Sequence, residues 1–491
     1  MLLLGLDIGT SSIKASVIDE EKQQVVVSAS FPEKEAKIHV PQAGWAEQDP
    51  EKWWGYVQKA ILKCHATKKY NSKDITAIGI AYQMHGLVLV DENQKVLRNA
   101  IIWCDSRAIE IGNNAFNKMG KEYCLSHFLN SPGNFTASKL AWVKANEPDI
   151  YKKIDKIMLP GDFIAMKLTG SITTSPSALS EGVFWDFQKD ELSEDILNYF
   201  GFEKSFFPDD NPVFSIHGEL KKSVAERLSL STDISLTYKA GDQPNNALAL
   251  NVMQPGEVAA TAGTSGVIYG INDALKYDRE SRVNSFAHVN YSGEMKRIGV
   301  LLCINGTAIF YRWIRDIIGT NFSYPEMNAL ASSVDEGAEG LLALPFGNGA
   351  ERMLNNKTIG AQFLNLDFNV HSKGHLLKAI LEGIAFSFRY GLDIMRENGI
   401  NPSVIRVSKA NLFLSDVFAQ TFADINNVTV EFYKGDGSYG AAIGAGIGSG
   451  IFRNIEDAAN NRKPVGYLNP QSSQRYERVY NEWKENLKIF L

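Results

Sequence analysis

The chain is expected to be an α/β protein of two related domains that face each other across a cleft. Three observations lead there. An apolar run, Leu2-Leu3-Leu4-Gly5-Leu6-Asp7-Ile8, has the length of a buried strand and is followed by the small, donor-rich turn Gly9-Thr10-Ser11-Ser12. The same pattern returns near residue 257, where Glu257 to Thr261, the turn Ala262-Gly263-Thr264-Ser265-Gly266 and Val267 to Ile271 follow in order. Between the two, Pro244 and Pro255 flank a short apolar stretch that suits a join. A repeated unit of this kind implies a duplicated domain, with divisions at residues 1–245 and 246–491.

Each element has its own local reason. Ile13 to Ile18 reads as a second strand, Asp19 to Gln24 as a turn, and Val25-Val26-Val27 as a third strand, so the chain begins as an antiparallel meander. A helix should start at Asp49 as N-cap, with Pro50 at its first position, Glu51 as a first-turn anion, and Trp53 and Trp54 available for burial. Ile75 to Ala81 is a buried-strand run that ends in Tyr82-Gln83-Met84-His85-Gly86, and Leu87 to Val90 forms a further strand. In the second half, Ile298 to Cys303 closes the repeated meander. Asn305-Gly306-Thr307 then leads into an amphipathic stretch through Ile309, Trp313 and Ile317. Leu377, Ile380, Leu381, Ile384 and Phe388 recur at helical spacing and predict a helix over residues 374–395. The run Gly435-Asp436-Gly437-Ser438-Tyr439-Gly440-Ala441-Ala442-Ile443-Gly444 reads either as a linker or as a closely packed helix. Its small residues at helical spacing favour packing.

Composition narrows the class of function. With 491 residues and 44% hydrophobic residues, the chain can bury a large core. The formal charge is −6, and no cluster of Lys and Arg offers a surface to nucleic acid or an anionic membrane. Cys64, Cys104, Cys124 and Cys303 are scattered without metal-binding spacing, which fits reduced thiols in a cytoplasmic protein. The apolar start is interrupted by Asp7 and lacks a basic flank, so neither a leader nor a membrane span is expected.

The chemistry rests on the turns. Thr10, Ser11 and Lys14 add hydroxyls and a cation beside free N–H groups, an arrangement suited to a phosphate. Asp7 would then face the anion, which is reasonable only with Mg²⁺ between them. The plain alternative is a hairpin whose Asp caps the turn. Two such turns on facing domains imply a nucleotide polyphosphate held in the cleft. Asp242, just after Gly241 and close to the join, can serve as the base that takes a proton from an attacking hydroxyl; its alternative is a turn-forming Gly-Asp before Pro244.

These segments, taken in order, resemble a known family. Asp7-Ile8-Gly9-Thr10, Trp45-Ala46-Glu47-Gln48-Asp49-Pro50, Gln83-Met84-His85-Gly86, Trp103-Cys104-Asp105-Ser106-Arg107, Lys139-Leu140-Ala141-Trp142, Gly241-Asp242 and Gly263-Thr264-Ser265-Gly266 resemble the motifs of the FGGY carbohydrate kinases. The matches run from residue 5 to about residue 450. The resemblance implies two ribonuclease H-like, actin-like ATPase domains flanking a catalytic cleft, with ATP as phosphoryl donor, one Mg²⁺, a small sugar as acceptor, and a homodimer as the expected assembly.

It also implies site roles. Asp242 matches the catalytic base, and Asp7 the carboxylate that organises Mg²⁺ and the transferring phosphoryl group. Met84 and His85 match the sugar-binding dipeptide, and Trp103 and Asp105 the next sugar-side segment. Outside the resemblance, His85 reads as a structural histidine, and Trp103 and Asp105 as a core aromatic and a turn residue. Gly9, Thr10, Ser11 and Lys14 match the first phosphate loop, and Gly263, Thr264 and Ser265 the second. Ala410, Asn411 and Ser415 occupy the adenosine end, where many members carry a glycine pair, and Ala308 stands where relatives often have glycine.

The dipeptide Met84-His85 favours D-xylulose as acceptor. The other readings are another ketose, a pentitol or gluconate within the family, and a non-catalytic sugar-binding regulator outside it. Loss of Asp7 or Asp242 would have supported the regulator, and both are present. A dehydrogenase is disfavoured because no GxGxxG opens a helix after the first strand.

Overall fold

The structure, a computed structural model, describes residues 1–319, 322–471 and 474–491. Strands β1 (Leu2–Ile8), β2 (Ile13–Asp19) and β3 (Gln24–Phe31) form the expected antiparallel meander. Strands Ile75–Tyr82 and Ser235–Gly241 continue the sheet parallel to β1, and Phe214–Glu219 closes it antiparallel. The spatial order of the first five, numbered along the chain, is 3-2-1-4-5.

The second sheet repeats that order. Val258–Ala262, Gly266–Asn272 and Ile298–Ile304 form its meander, and Val404–Ser408 and Thr429–Tyr433 follow in parallel. Two edge strands have no counterpart in the sequence reading. Asn284–Ala287 pairs with Ile298–Ile304, and Gly466–Leu468 pairs with Thr429–Tyr433. Asn284–Ala287 lies in a polar stretch with no strand pattern of its own; three of its partners come from the other half of the chain, as described below.

Helix α1 spans Pro50–Ala66. Asp49 caps it by accepting from Glu51 N, and Trp53 and Trp54 are buried beneath it. The helix expected over residues 374–395 spans Lys373–Glu397. The glycine-rich run forms the helix Gly437–Gly448, so the linker reading is set aside.

That helix lies on the first sheet, although it follows the last long strand of the second. Strand alternation explains the fit. Leu4, Leu6 and Ile8 point into the core beneath α1, whereas Leu3 packs with Ala441, Ala442 and Ile443 of the helix. Gly5 and Gly79 face the same helix, and a methyl group on either would overlap the carbonyl of Ser438 or Ala441. Asp7, two residues beyond Gly5, therefore emerges on the helix side, beside the helix start at Gly437.

The halves also meet at a seam. Asn130 donates to Ser285 O and accepts from Ser285 N at 2.9 Å. Ser177 donates to Ala287 O at 2.7 Å, and Ser180 accepts from Ala287 N at 2.9 Å. The outer edge of the strand Asn284–Ala287 is thus satisfied by side chains from the first half.

Candidate active site

The residues singled out in the sequence lie at the C-terminal ends of equivalent parallel strands, where ligands of open α/β sheets bind. In the first half, Asp7 is near the end of β1, Met84 and His85 follow Ile75–Tyr82, and Asp242 follows Ser235–Gly241. In the second half, Gly263 to Ser265 follow Val258–Ala262, Ala410 to Ser415 follow Val404–Ser408, and Asp436 follows Thr429–Tyr433. Duplication places the two sets of ends at equivalent positions of the two sheets.

Asp7 pairs across the ladder with Lys14, so both side chains share one face of the sheet. The Lys14 ammonium is ion-paired with Asp436, the N-cap of the helix Gly437–Gly448. Asp436 also accepts from Ser438 Oγ at 2.7 Å and Tyr439 N at 3.1 Å. Burial, with Asp242 and Asp436 nearby, raises the Asp7 pKa to about 7 against the opposing pull of Lys14. Among the described residues, no protein group donates a hydrogen bond to the Asp7 carboxylate.

Asp242 opens the helix Asp242–Ala249. Burial raises its pKa to about 6, and hydrogen bonds from Gln243 pull in the opposite direction. A carboxylate of this kind stays ionised near neutrality yet is a stronger base than an exposed Asp. Asn245, one turn on, donates from Nδ2 to Gly437 O at 2.8 Å and ties this helix to the one beside Asp7.

Met84 is buried against Gly241, where a Cβ would lie 2.7 Å from Met84 Cγ and 2.6 Å from Glu181 Oε2. His85 Nδ1 lies 2.9 Å from Glu181 O, and Lys139 Nζ donates to His85 O at 2.8 Å. Trp103 is 43% exposed, so it is not a core aromatic, and its Nε1 donates to Thr10 Oγ1 at 3.0 Å. Thr10 in turn donates to Gln83 Oε1 at 3.1 Å. Trp103, the turn at Thr10 and Gln83 are therefore one hydrogen-bonded unit.

Asp105 departs from its expected role. It is fully buried; Oδ1 accepts from Arg107 N at 2.9 Å, and Oδ2 accepts from Ala46 N at 2.5 Å and Arg107 Nη2 at 2.7 Å. Both oxygens are committed to the scaffold, which leaves none to receive a ligand hydroxyl. The physical reason is Arg107, itself paired with Glu47 and stacked on Trp45, whose buried charge requires a carboxylate partner.

On the second half, Thr307 Oγ1 donates to Gly263 O at 2.6 Å, and Ala308 N donates to the same carbonyl at 2.8 Å, which shapes the turn. Thr264 is exposed, and Gly263 and Ser265 are partly so. Asn411 has φ +54°, the left-handed region that glycine enters freely and Asn tolerates, and its side chain lies beside Gly263. Ser415 is buried as the N-cap of the helix Asp416–Asn426, where its hydroxyl oxygen accepts from Phe418 N at 3.2 Å.

The sequence reading missed two residues. Glu181 touches His85, has its carboxyl raised well above the usual range by burial, and also feels Asp242. Arg352, from the second half, donates to Ser131 O at 3.2 Å and sits 4.9 Å from the Phe135 ring, beside His85. A carboxylate and an arginine within mostly apolar stretches were the only signals.

The chemistry of the donor set fits Mg²⁺. Asp7 feels the charges of Asp242 and Asp436, the one lysine nearby is already paired with Asp436, and a hard divalent cation suits carboxylate oxygens of this kind. Among the described residues, no group of three or more His, Cys, Asp or Glu side chains forms a ready-made metal cage. That agrees with an ion held by one or two carboxylates together with substrate phosphates and water. No helix among the described residues is long and apolar enough to cross a membrane.

Comparison with known proteins gives a consistent result. The model of the FGGY family of carbohydrate kinases, N-terminal domain, matches residues 2–249, and that of the C-terminal domain matches residues 258–449. The chain is 29% identical over 497 residues to a Bacillus subtilis protein named xylulose kinase, covering 98% of this chain and 96% of the relative. It is 28% identical over 470 residues to one of the same name from Escherichia coli, covering 96% and 93%. The crystal structure of xylulose kinase from Rhodospirillum rubrum shares the fold, with TM-score 0.89 and 24% identity over 100% of this chain and 99% of that one.

Proposed function

The chain belongs to the FGGY family of carbohydrate kinases, and from that premise we propose that it transfers the γ-phosphoryl group of ATP to the terminal hydroxyl of D-xylulose. The observation that carries the reading is the pair of carboxylates at the C-terminal ends of two parallel strands of the first sheet, on either side of Ile75–Tyr82. Asp242 is a near-neutral base, and Asp7 is an acceptor that no protein group among the described residues satisfies. The choice of sugar is supported by relatives of that name aligned over nearly the whole chain.

In this mechanism residues 1–245 carry the sugar and residues 246–491 carry most of the nucleotide. Met84 lines the carbon face of the sugar, while His85 and Trp103 border its hydroxyls. Gly9, Thr10 and Ser11 on one side, and Gly263, Thr264 and Ser265 on the other, offer backbone N–H groups and hydroxyls to the phosphates. Ala410 and Asn411 border the adenosine. Asp242 accepts the proton of the terminal hydroxyl as the sugar oxygen forms its bond to γ-phosphorus. The bond to the bridging oxygen breaks, and ADP leaves with that oxygen. Mg²⁺, when bound, neutralises charge on the phosphate oxygens, and Asp7 is the residue that would hold it. Lys14, paired with Asp436, keeps those carboxylates apart from one another's full repulsion.

Closing of the two halves on the substrates would exclude water and limit hydrolysis of ATP. Four unpaired cysteines are compatible with work in the cytoplasm, where ATP is supplied. The test is ADP release measured with D-xylulose, L-xylulose, D-ribulose, L-ribulose, xylitol, glycerol and gluconate. D-xylulose is expected among the best acceptors. Preference for another acceptor would overturn the sugar assignment, and no sugar-dependent ADP release at all would overturn the kinase reading.

A further inference from the structure

Glu181 ends the short helix Pro176–Glu181 and meets His85 twice. Its carbonyl oxygen is 2.9 Å from His85 Nδ1, and its Oε1 is 3.4 Å from His85 N. A carbonyl oxygen can only accept, so Nδ1 carries the ring proton and Nε2 is left with a lone pair. Among the described residues, Nε2 has no hydrogen-bond partner.

The ring is clamped from both halves of the chain. Phe135 meets it edge-on with centroids 4.7 Å apart, and Phe286 lies 5.3 Å away at 45°. Three titratable groups face it: Lys139 from the helix Thr136–Asn146, Arg352 across Phe135, and the Glu181 carboxyl. Burial, then the two cations, lower the His85 pKa to about 3, with the Glu181 carbonyl pulling the other way. The ring is accordingly neutral at any physiological pH.

The backbone is held as firmly. His85 has φ +60°, a left-handed conformation that is unfavourable for a non-glycine residue. Lys139 Nζ grips its carbonyl at 2.8 Å, and Glu181 receives its N–H. Lys139 is itself fully buried, so its ammonium has few alternatives to this contact.

We propose that Glu181 and Lys139 are positioning residues for His85: the Glu181 carbonyl fixes the Nδ1–H tautomer, and Lys139 Nζ with the Glu181 carboxyl holds the backbone that carries the ring, so that Nε2 accepts a hydrogen bond from a sugar hydroxyl. His85 then reads a hydroxyl and cannot donate to the sugar's carbonyl oxygen. An acceptor whose oxygen lacks a hydrogen at that position meets lone pair against lone pair and is rejected. The identity of the ligand rests on the kinase reading above, whereas the tautomer is a property of the free protein.

The test is ¹⁵N NMR of the full-length protein labelled at histidine nitrogen, with His85→Asn used to assign the signals. A protonated Nδ1 and an unprotonated Nε2 are expected throughout pH 6 to 8, and D-xylulose is expected to shift Nε2. A protonated Nε2, or a ring that titrates in this range, overturns the proposal. The expected tautomer with no response to D-xylulose, in a protein that phosphorylates another sugar, retains the tautomer and removes the xylulose reading.

Kinetics supply a second readout. Glu181→Leu and Lys139→Met are expected to raise the sugar KM about tenfold or more while leaving the ATP KM unchanged. Glu181→Gln, which keeps an acceptor for His85 N–H at the same size, is expected to recover most of that loss. Equal changes in both KM values, or no change in the sugar KM with Glu181→Leu, overturn the positioning role.

Discussion

Asp7 and Asp242 are acids held partly out of water, and that single fact has consequences for both activity and stability. Asp242 must be ionised to take a proton, so kcat/KM should fall as pH drops below about 6. The acid limb will belong jointly to Asp242 and Asp7, since the charge of Asp242 raises Asp7. Asp242→Asn should lower kcat by about 10²- to 10⁴-fold in an ADP-release assay. Asp7 gives the opposite sign in stability. Its pKa in the folded protein, about 7, exceeds the ordinary 3.8, so the folded state favours the protonated form. That contribution is complete below pH 4 and lost as pH rises through 7. Asp7→Asn should therefore abolish most activity yet raise Tm at pH 8 and leave it nearly unchanged near pH 4. Mg²⁺ should raise the Tm of the parent protein more at pH 8 than at pH 5.5, and much less in Asp7→Asn. Both carboxylates were legible as residues because each follows a strand-like run and precedes a turn. Glu181 was not, because its contact with His85 comes from segments 96 residues apart that share no local pattern. Asp105 misled for a related reason: its partner Arg107 stands in the same motif, and which of them faces the cleft is decided by packing.

The helix Gly437–Gly448 approaches the strands β1 and Ile75–Tyr82 closely. This approach depends on an absent side chain at Gly5 and at Gly79. A Cβ at either place would overlap helix backbone, which cannot yield as a flexible side chain can. Gly5→Ala and Gly79→Ala should each destabilise by about 1–3 kcal/mol or more in chemical denaturation, and reduce activity by displacing Gly437 from Asp7. The strands themselves were readable, since apolar runs with β-branched residues bounded by turns have few other uses. The helix was readable as a helix, though its destination was not. Small residues permit close packing against any flat apolar surface, and the choice of the first sheet over the second follows from complementary gaps at Gly5, Ala77, Gly79 and Ala81. The loop at Ala410-Asn411 shows the reverse case. The residues there are not glycine, yet Asn411 adopts the left-handed region that glycine enters freely, at φ +54°.

At the scale of the whole molecule, the two halves are joined by neutral contacts along the strand Asn284–Ala287 and by ion pairs such as Lys296–Asp190 at 3.3 Å. Asn130, Ser177 and Ser180 satisfy the outer backbone groups of Asn284–Ala287, and Phe135 and Phe286 meet around His85 from opposite sides. Asn130→Ala would leave the N–H and C=O of Ser285 without partners and should cost about 1–3 kcal/mol in denaturation, with a rise in the sugar KM as Phe286 loosens. An unchanged sugar KM would show that the seam does not communicate with His85. The amino-acid sequence by itself determined the duplicated α/β plan, the strands, the two Gly-Thr-Ser turns and the placement of Asp7 and Asp242 at strand ends, because these depend on patterns within a few neighbouring residues. Only the tertiary structure decided that Asp105 belongs to the scaffold, that the glycine-rich helix returns to the first sheet, and that Glu181, Lys139 and Arg352 gather around His85. Those outcomes depend on burial and on contacts between distant segments. The energy of a buried charge is set by whatever packs against it, and no local pattern records that neighbour.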